Sequence, residues 1–115
     1  MNIKAGNLTI HVQDMDESIA FYQAIGFNLD NRWENHYAQM SVPGLIIGLH
    51  PSLGKKAIDQ SGNLSIGLTC ADFGKVMEEL INLDIQVEER TEAGGRFIHF
   101  QSPEGTSMYF IDPKY

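Results

Sequence analysis

Asn7-Leu8-Thr9-Ile10-His11-Val12 returns in altered form as Asn63-Leu64-Ser65-Ile66-Gly67-Leu68, 56 residues further along the chain. Each stretch alternates with the period of two expected of a half-buried strand, and each runs into a helical pattern. A second pair follows in the same order: Gly44-Leu45-Ile46-Ile47-Gly48-Leu49 matches Gly105-Thr106-Ser107-Met108-Tyr109-Phe110 at a spacing of 61. Both members of this pair come with turn chemistry, Val42-Pro43-Gly44 in one copy and Ser102-Pro103-Glu104-Gly105 in the other. There proline presets φ and glycine supplies a positive one. Two matches in one order indicate an internal duplication. The chain therefore reads as an α+β fold of two βαβββ modules.

The segments between the matched strands fill in the unit. A first helix is predicted from Met15 to Ile25, capped by Asp14, with Glu17 placed for a capping box and Gly26 suited to end it. Ile19, Tyr22 and Ile25 form one apolar stripe, and Phe21 with Ala24 forms an alternative one. A second helix is predicted from Phe73 to Leu83, capped by Asp72, with Val76, Met77, Leu80 and Ile81 facing the core. Strands are predicted at 28–33, 36–41, 45–50, 85–90, 96–101 and 107–112. One domain spans 1–115, with module 1 at 6–50, a linker at 51–62 and module 2 at 63–115. Asp59-Gln60-Ser61-Gly62 carries the clearest turn chemistry of the linker.

Composition narrows the partners. The 115-residue chain is 43% hydrophobic, enough for a core in one domain, and its 15 acidic and 8 basic residues give a formal charge of −7. Nucleic acid and anionic membranes are recognised through clustered Lys and Arg, so neither is expected as a partner. The field favours a cationic or neutral ligand, although an acidic excess also serves solubility. No apolar stretch approaches the ~20 residues of a membrane span. Met1-Asn2-Ile3-Lys4 lacks the apolar core of a signal peptide, and Cys70 alone makes no disulfide framework, so a cytoplasmic protein is expected.

Strand parity sorts the remaining residues, because successive side chains point to opposite faces. Leu8, Ile10 and Val12 should pack on a helix, leaving Thr9, His11 and Gln13 opposite. Leu64, Ile66, Leu68 and Cys70 pack, leaving Ser65, Gly67 and Thr69. Leu45, Ile47 and Leu49 leave Ile46, Gly48 and His50, while Met108 and Phe110 leave Ser107, Tyr109 and Ile111. None of these twelve positions holds Lys or Glu, which an ordinary solvent face would show more often. Hydroxyls, imidazoles and glycines suit a ligand pocket, with the glycines read as room for close approach or as relief of sheet curvature.

Asp14-Met15-Asp16-Glu17-Ser18-Ile19-Ala20-Phe21-Tyr22, closing with Ile25-Gly26-Phe27, resembles the first-helix signature of the vicinal oxygen chelate superfamily of glyoxalases, bleomycin-resistance proteins and extradiol dioxygenases. Ser102-Pro103-Glu104-Gly105-Thr106 is similar to that superfamily's turn before the last strand. The resemblance implies paired βαβββ modules, a homodimer and a pocket under curved sheets. In metal-using members it also implies four ligands, from the first and last strand of each module. On this chain those positions are His11, Gly48, Gly67 and Tyr109, and superimposing the copies pairs His11 with Gly67 and Gly48 with Tyr109. Only His11 suits a ligand set that normally needs about three His or carboxylate donors. His50, Glu34, His36 and His99 are candidates for a rebuilt divalent-metal site, with His11 and His50 as its first members.

The favoured reading is a cofactor-free protein that binds a small organic molecule, with no catalytic residue assigned. His11, His50, Tyr109, Thr9, Gln13, Thr69 and Ser107 orient the ligand, and Trp33 gives it a stacking wall. Tyr37 and Phe97 are further candidates for such walls, with ordinary core packing as the alternative for each aromatic. The alternative is an enzyme: a metal-dependent lyase, isomerase or dioxygenase rearranged around His11 and His50, or a metal-free one with His11 as base and Tyr109 as acid. A third class, a regulatory or structural dimer, fits the polar cluster less well, since only Ile46 and Ile111 of the twelve are bulky and apolar.

Overall fold

One order of elements occurs twice. The first half runs β1 (Leu8–Val12), α1 (Met15–Ala24), β2 (Asn28–Trp33), β3 (Tyr37–Val42) and β4 (Leu45–Pro51). The second runs β5 (Ser65–Thr69), α2 (Phe73–Asn82), β6 (Glu88–Glu92), β7 (Gly95–Gln101) and β8 (Ser107–Ile111). This is a computed structural model that describes residues 1–52, 64–92 and 95–112. The chain divides into two compact units, Met1–Ile58 and Asp59–Tyr115. Each holds a four-stranded mixed sheet, ordered β1-β4-β3-β2 in the first and β5-β8-β7-β6 in the second. The turn expected at 59–62 lies outside the described residues, and Pro51, read as linker, ends β4 opposite Val12. Among the described residues no helix is long and apolar enough to cross a membrane.

In the first unit β1 and β4 run parallel, and β2, β3 and β4 pair antiparallel through short turns. Ile10, Val12, Met40, Ile47 and Leu49 are buried on one face of this sheet, as the alternation predicts. Met15, Ile19 and Tyr22 are the buried apolar residues of α1, so the Ile19–Tyr22 stripe is its core face, whereas Phe21 is half-buried and Ala24 exposed. Each fully buried side chain of this kind contributes about 1.5–3 kcal/mol. In the second unit Ile66, Ile98, Phe100, Met108 and Phe110 are buried, together with Phe73 and Leu80 of α2. Ile81, expected in the core, is 57% exposed, and Leu64 is 50% exposed because β5 begins one residue after it.

Both helices begin and end alike. Asp14 accepts a hydrogen bond from the Glu17 backbone N–H at 3.0 Å, and Asp72 accepts one from Lys75 at 3.1 Å. At the C-termini Phe27 N–H donates to the Tyr22 carbonyl at 2.8 Å and Ile85 N–H to that of Leu80 at 3.0 Å. The residue just before each donor has positive φ: Gly26 at +113° and Asp84 at +62°. This is the usual left-handed helix stop, where glycine is free of the Cβ penalty and aspartate is not. It also explains why β6 begins at Glu88 rather than near residue 85, since Ile85 is still bonded to the helix end.

These caps place the copies 58 residues apart through the first strand and helix, not 56. Sheet register agrees: Leu8 pairs with Ile47, and Ile66 with Met108. His11 therefore corresponds to Thr69, and Thr9 to Gly67, which corrects the expected match of His11 with Gly67. Both spacings are even, so both keep every side chain on its face, and alternation could not separate them. The spacing of 61 at the last strands holds, with Gly44 and Gly105 at φ +84° and +87° in equivalent turns.

Asp14→Ala and Asp72→Ala should each cost about 1 kcal/mol, and Asp84→Gly should gain up to about 1 kcal/mol by relieving the left-handed backbone. Urea denaturation of the three variants measures all of these, and a loss on Asp84→Gly would contradict the cap assignment.

Candidate functional site

On the sheet face opposite α1, the β1–β4 register makes Thr9 the partner of Gly48 and His11 the partner of His50. The two imidazoles lie edge to face, centroids 5.5 Å apart and planes at 65°. His11 is exposed and His50 half-buried. His50 Nδ1 sits 2.8 Å from the Pro51 carbonyl oxygen. A carbonyl can only accept, so Nδ1 carries the proton and Nε2 of the neutral ring keeps its lone pair free for another partner.

Gly48 shows why its strand lacks a side chain there. A Cβ at Gly48 would overlap the ring and hydroxyl of Tyr37, which lies across it from β3. Trp33 stands beside Tyr37 at 5.6 Å between centroids and is 48% exposed, so it is a surface residue and not a core one. Gln13, expected on this face, lies beyond the end of β1. It lines a cleft of about 240 Å³ at the start of α1, with Asp14, Asn35 and Pro51 among the other walls. Glu34 and His36 sit in the β2–β3 turn, where Arg32 binds the Glu34 carbonyl, Asn35 and Asp16, each at 2.7 Å.

The second unit repeats the motif with different residues. The Tyr109 ring occupies the place where a Cβ of Gly67 would project. Around it Phe97 and His99 complete a ring cluster, with Tyr109 5.7 Å from Phe97 and 5.8 Å from His99. Ser65 Oγ donates to Ser107 Oγ at 3.1 Å, and Thr69, exposed, pairs with Ile111. His99 Nε2 is buried without a hydrogen-bond partner, 3.7 Å from Glu92 Oε1.

Glu88 and Arg90 border the cluster, opposite His99 and Phe97. The Arg90 guanidinium, by hydrogen bonding and then by charge, holds the Glu88 carboxyl below its usual range, and Glu88 holds Arg90 up in return. Both groups are solvent-exposed, so this pair adds little to stability. Burial, reinforced by the charge of Asp112, raises the Cys70 thiol, which stays protonated and weakly nucleophilic at neutral pH.

Gln39, Glu88 and Arg90 also belong to these faces, which alternation within their own strands does not reveal, and His99 joins them. Their signal was the register, which runs back from the two glycine turns: Gln39 pairs with Gly48, and His99 with Tyr109.

With the register corrected, the positions equivalent to Gly67 and Tyr109 are Thr9 and Gly48. Of the four expected positions, His11, Gly48, Gly67 and Tyr109, only His11 offers a side chain of the kind such a metal centre uses, and tyrosine rings fill the space beside both glycines. Among the described residues no three His, Cys, Asp or Glu side chains gather as a metal-holding group.

Residues 4–110 match the Glyoxalase/Bleomycin resistance protein/Dioxygenase superfamily. No curated protein matches the chain. Among solved structures, the chain is similar to a bleomycin resistance determinant encoded on the transposon Tn5, at 18% identity and TM-score 0.74, covering 98% of this chain and 100% of that one. It is also similar to a bleomycin-binding protein complexed with bleomycin, at 18% identity and TM-score 0.72, covering 96% and 98%. A third is lactoylglutathione lyase from Agrobacterium tumefaciens, at 13% identity and TM-score 0.73, covering 96% and 94%. At such identities the likeness is one of fold, the paired βαβββ arrangement. With the family match spanning nearly the whole length, the chain belongs to the glyoxalase/bleomycin resistance protein/dioxygenase superfamily.

Proposed function

We propose that the chain binds a small organic molecule by ring stacking and oriented hydrogen bonds, without using the four-ligand metal of its metal-dependent relatives. The observation that carries this reading is the recurrence of a tyrosine ring laid over a strand glycine, Tyr37 on Gly48 and Tyr109 on Gly67. Each tyrosine has a second aromatic beside it, Trp33 or Phe97. Half-exposed rings flanked by hydroxyls and imidazoles form a surface that stacks a planar ligand and fixes its orientation. Thr9, His11 and His50 supply polar groups on one unit, Thr69, Ser107 and Tyr109 on the other, and Gln13 lines the neighbouring cleft. The similar protein that holds bleomycin supports this use of the fold. A net charge of −7 favours a neutral or cationic compound.

The enzyme reading, a metal-dependent lyase, isomerase or dioxygenase, would need a third protein ligand near His11 and His50. Glu34 and His36 are held in the β2–β3 turn, which favours binding over that alternative.

Trp33 is the only tryptophan, so its fluorescence reports on the first unit's face. A panel of neutral and cationic aromatic compounds, bleomycin included, should contain members that change this emission and raise Tm. Saturation at 100 times Kd corresponds to about 2.7 kcal/mol of added stability. Trp33→Ala should weaken a compound held on the first unit's face, and Tyr109→Ala one held on the second unit's face, each at least about tenfold, a loss of roughly 1.4 kcal/mol. If no compound shifts either Tm or emission, the reading fails.

Gly67→Ala probes the same surface from beneath. It should displace the Tyr109 ring, seen as moved aromatic resonances, and weaken the ligand. Stability should change by less than about 1 kcal/mol, because alanine is the better strand residue while the ring must swing aside.

We also take the protein to act as a homodimer, supported by the resemblance and by exposed apolar side chains such as Trp33, Ile46 and Ile81. Light scattering should give twice the chain mass of 12.9 kDa. A monomer at tens of micromolar would refute it.

A further inference from the structure

We propose that His11 and His50 form a two-histidine site for one divalent transition ion per chain, tightest for Cu²⁺ and weaker for Ni²⁺ and Zn²⁺. The two residues are direct partners across β1 and β4, with centroids 5.5 Å apart. An imidazole nitrogen binds such an ion at about 2.0–2.1 Å, so each ring centroid stands about 3.2 Å from it, and two rings on a tetrahedral ion lie about 5.3 Å apart. The observed 5.5 Å is close to that value, and rotation of the exposed His11 ring would bring the two nitrogens to one ion, with Cu²⁺ held in a geometry distorted from square-planar toward tetrahedral.

A second observation points the same way. Metal-binding histidines commonly donate their other ring N–H to a carboxylate or backbone carbonyl, which orients the ring and raises its basicity. His50 makes that bond to Pro51 at 2.8 Å, leaving Nε2 as the free donor atom. His11 is exposed, so an ion reaches the pair from solvent. Neither β1 nor β4 carries a Lys or Arg to repel it.

Of the four positions of the superfamily resemblance the site uses only His11, and its second donor, His50, lies outside that set. His11 and His50 both lie in the first unit, and their counterparts in the second are Thr69 and Ile111, partners in the equivalent register. The duplication therefore supplies one such pair, not two. Two protein ligands leave the remaining coordination positions to water or to donor atoms of a bound molecule, and imidazole donors follow the order that puts Cu²⁺ first.

The test is calorimetric titration of tag-free, chelator-stripped protein with Cu²⁺, Ni²⁺ and Zn²⁺. One equivalent of Cu²⁺ should bind, at least tenfold more tightly than the other two. His11→Ala and His50→Ala should each weaken Cu²⁺ at least tenfold, as should His11→Gln and His50→Gln, while His36→Ala leaves it unchanged. In the unmodified protein, substoichiometric Cu²⁺ should broaden the imidazole resonances of His11 and His50 before those of His36 and His99, a readout that does not depend on how any variant folds. Unchanged affinity in either His variant, or broadening that begins at His36 or His99, overturns the proposal. Neither result bears on organic-ligand binding, which is read through Tm, Trp33 and Tyr109.

Discussion

Parallel pairing of the first and last strands of each unit, β1 with β4 and β5 with β8, is the constraint on which the rest of the structure depends. Parallel neighbours cannot be joined by a tight turn, so a helix and two further strands fill the connection. The helix then has one sheet face to cover, which becomes the core, and it leaves the other face uncovered. The same pairing brings together residues from opposite ends of each unit: Thr9 with Gly48, His11 with His50, Ser65 with Ser107 and Gly67 with Tyr109. A slip of two residues would keep the core intact and dissolve every one of these pairs.

Each unit is tied at its rim by one arginine, in different ways. Arg32 joins the first turn of α1, through Asp16, to the β2–β3 turn. Arg96 meets Glu89 with two nitrogens at 3.3 Å, approaches Asp112 at 3.7 Å and lies 4.5 Å over the Phe73 ring at the start of α2. Single surface ion pairs are worth little, but a guanidinium shared among several partners and a ring fixes its neighbours' geometry. These contacts hold the helix N-termini against the sheets, and in the first unit they set one wall of the cleft beside Gln13.

The duplicated frame has diverged on the sheet faces away from its helices while keeping one device. Tyr37 covers Gly48 from a neighbouring strand, and Tyr109 covers Gly67 from another. The tyrosines come from different strands of the repeat, since Tyr37 corresponds by register to Phe97 and Gly48 to Tyr109. Both solutions arrive at a ring over a glycine, as expected if the ring face rather than a particular residue is what the surface has to present.

Much of this was legible in the residues. Asp14 and Asp72 announce their helices, the glycine turns announce the last hairpins, and period-two alternation sorts core from surface in β1, β4, β5 and β8. The spacing of 58 was also present, in the distance between the two capping aspartates, but the strand match at 56 obscured it. Such features are carried by residue types and their spacing, and sequence alone determines them: the duplication, the order of elements and the face on which the residues of β1, β4, β5 and β8 lie. The register of the parallel pairs is non-local. It comes from hydrogen bonds between segments some forty residues apart, and shifts by two look identical from within a strand. Only the tertiary structure therefore decided that His11 faces His50, that Pro51 orients the His50 ring, that Ile81 lies outside the core and that tyrosine rings occupy the space above both glycines.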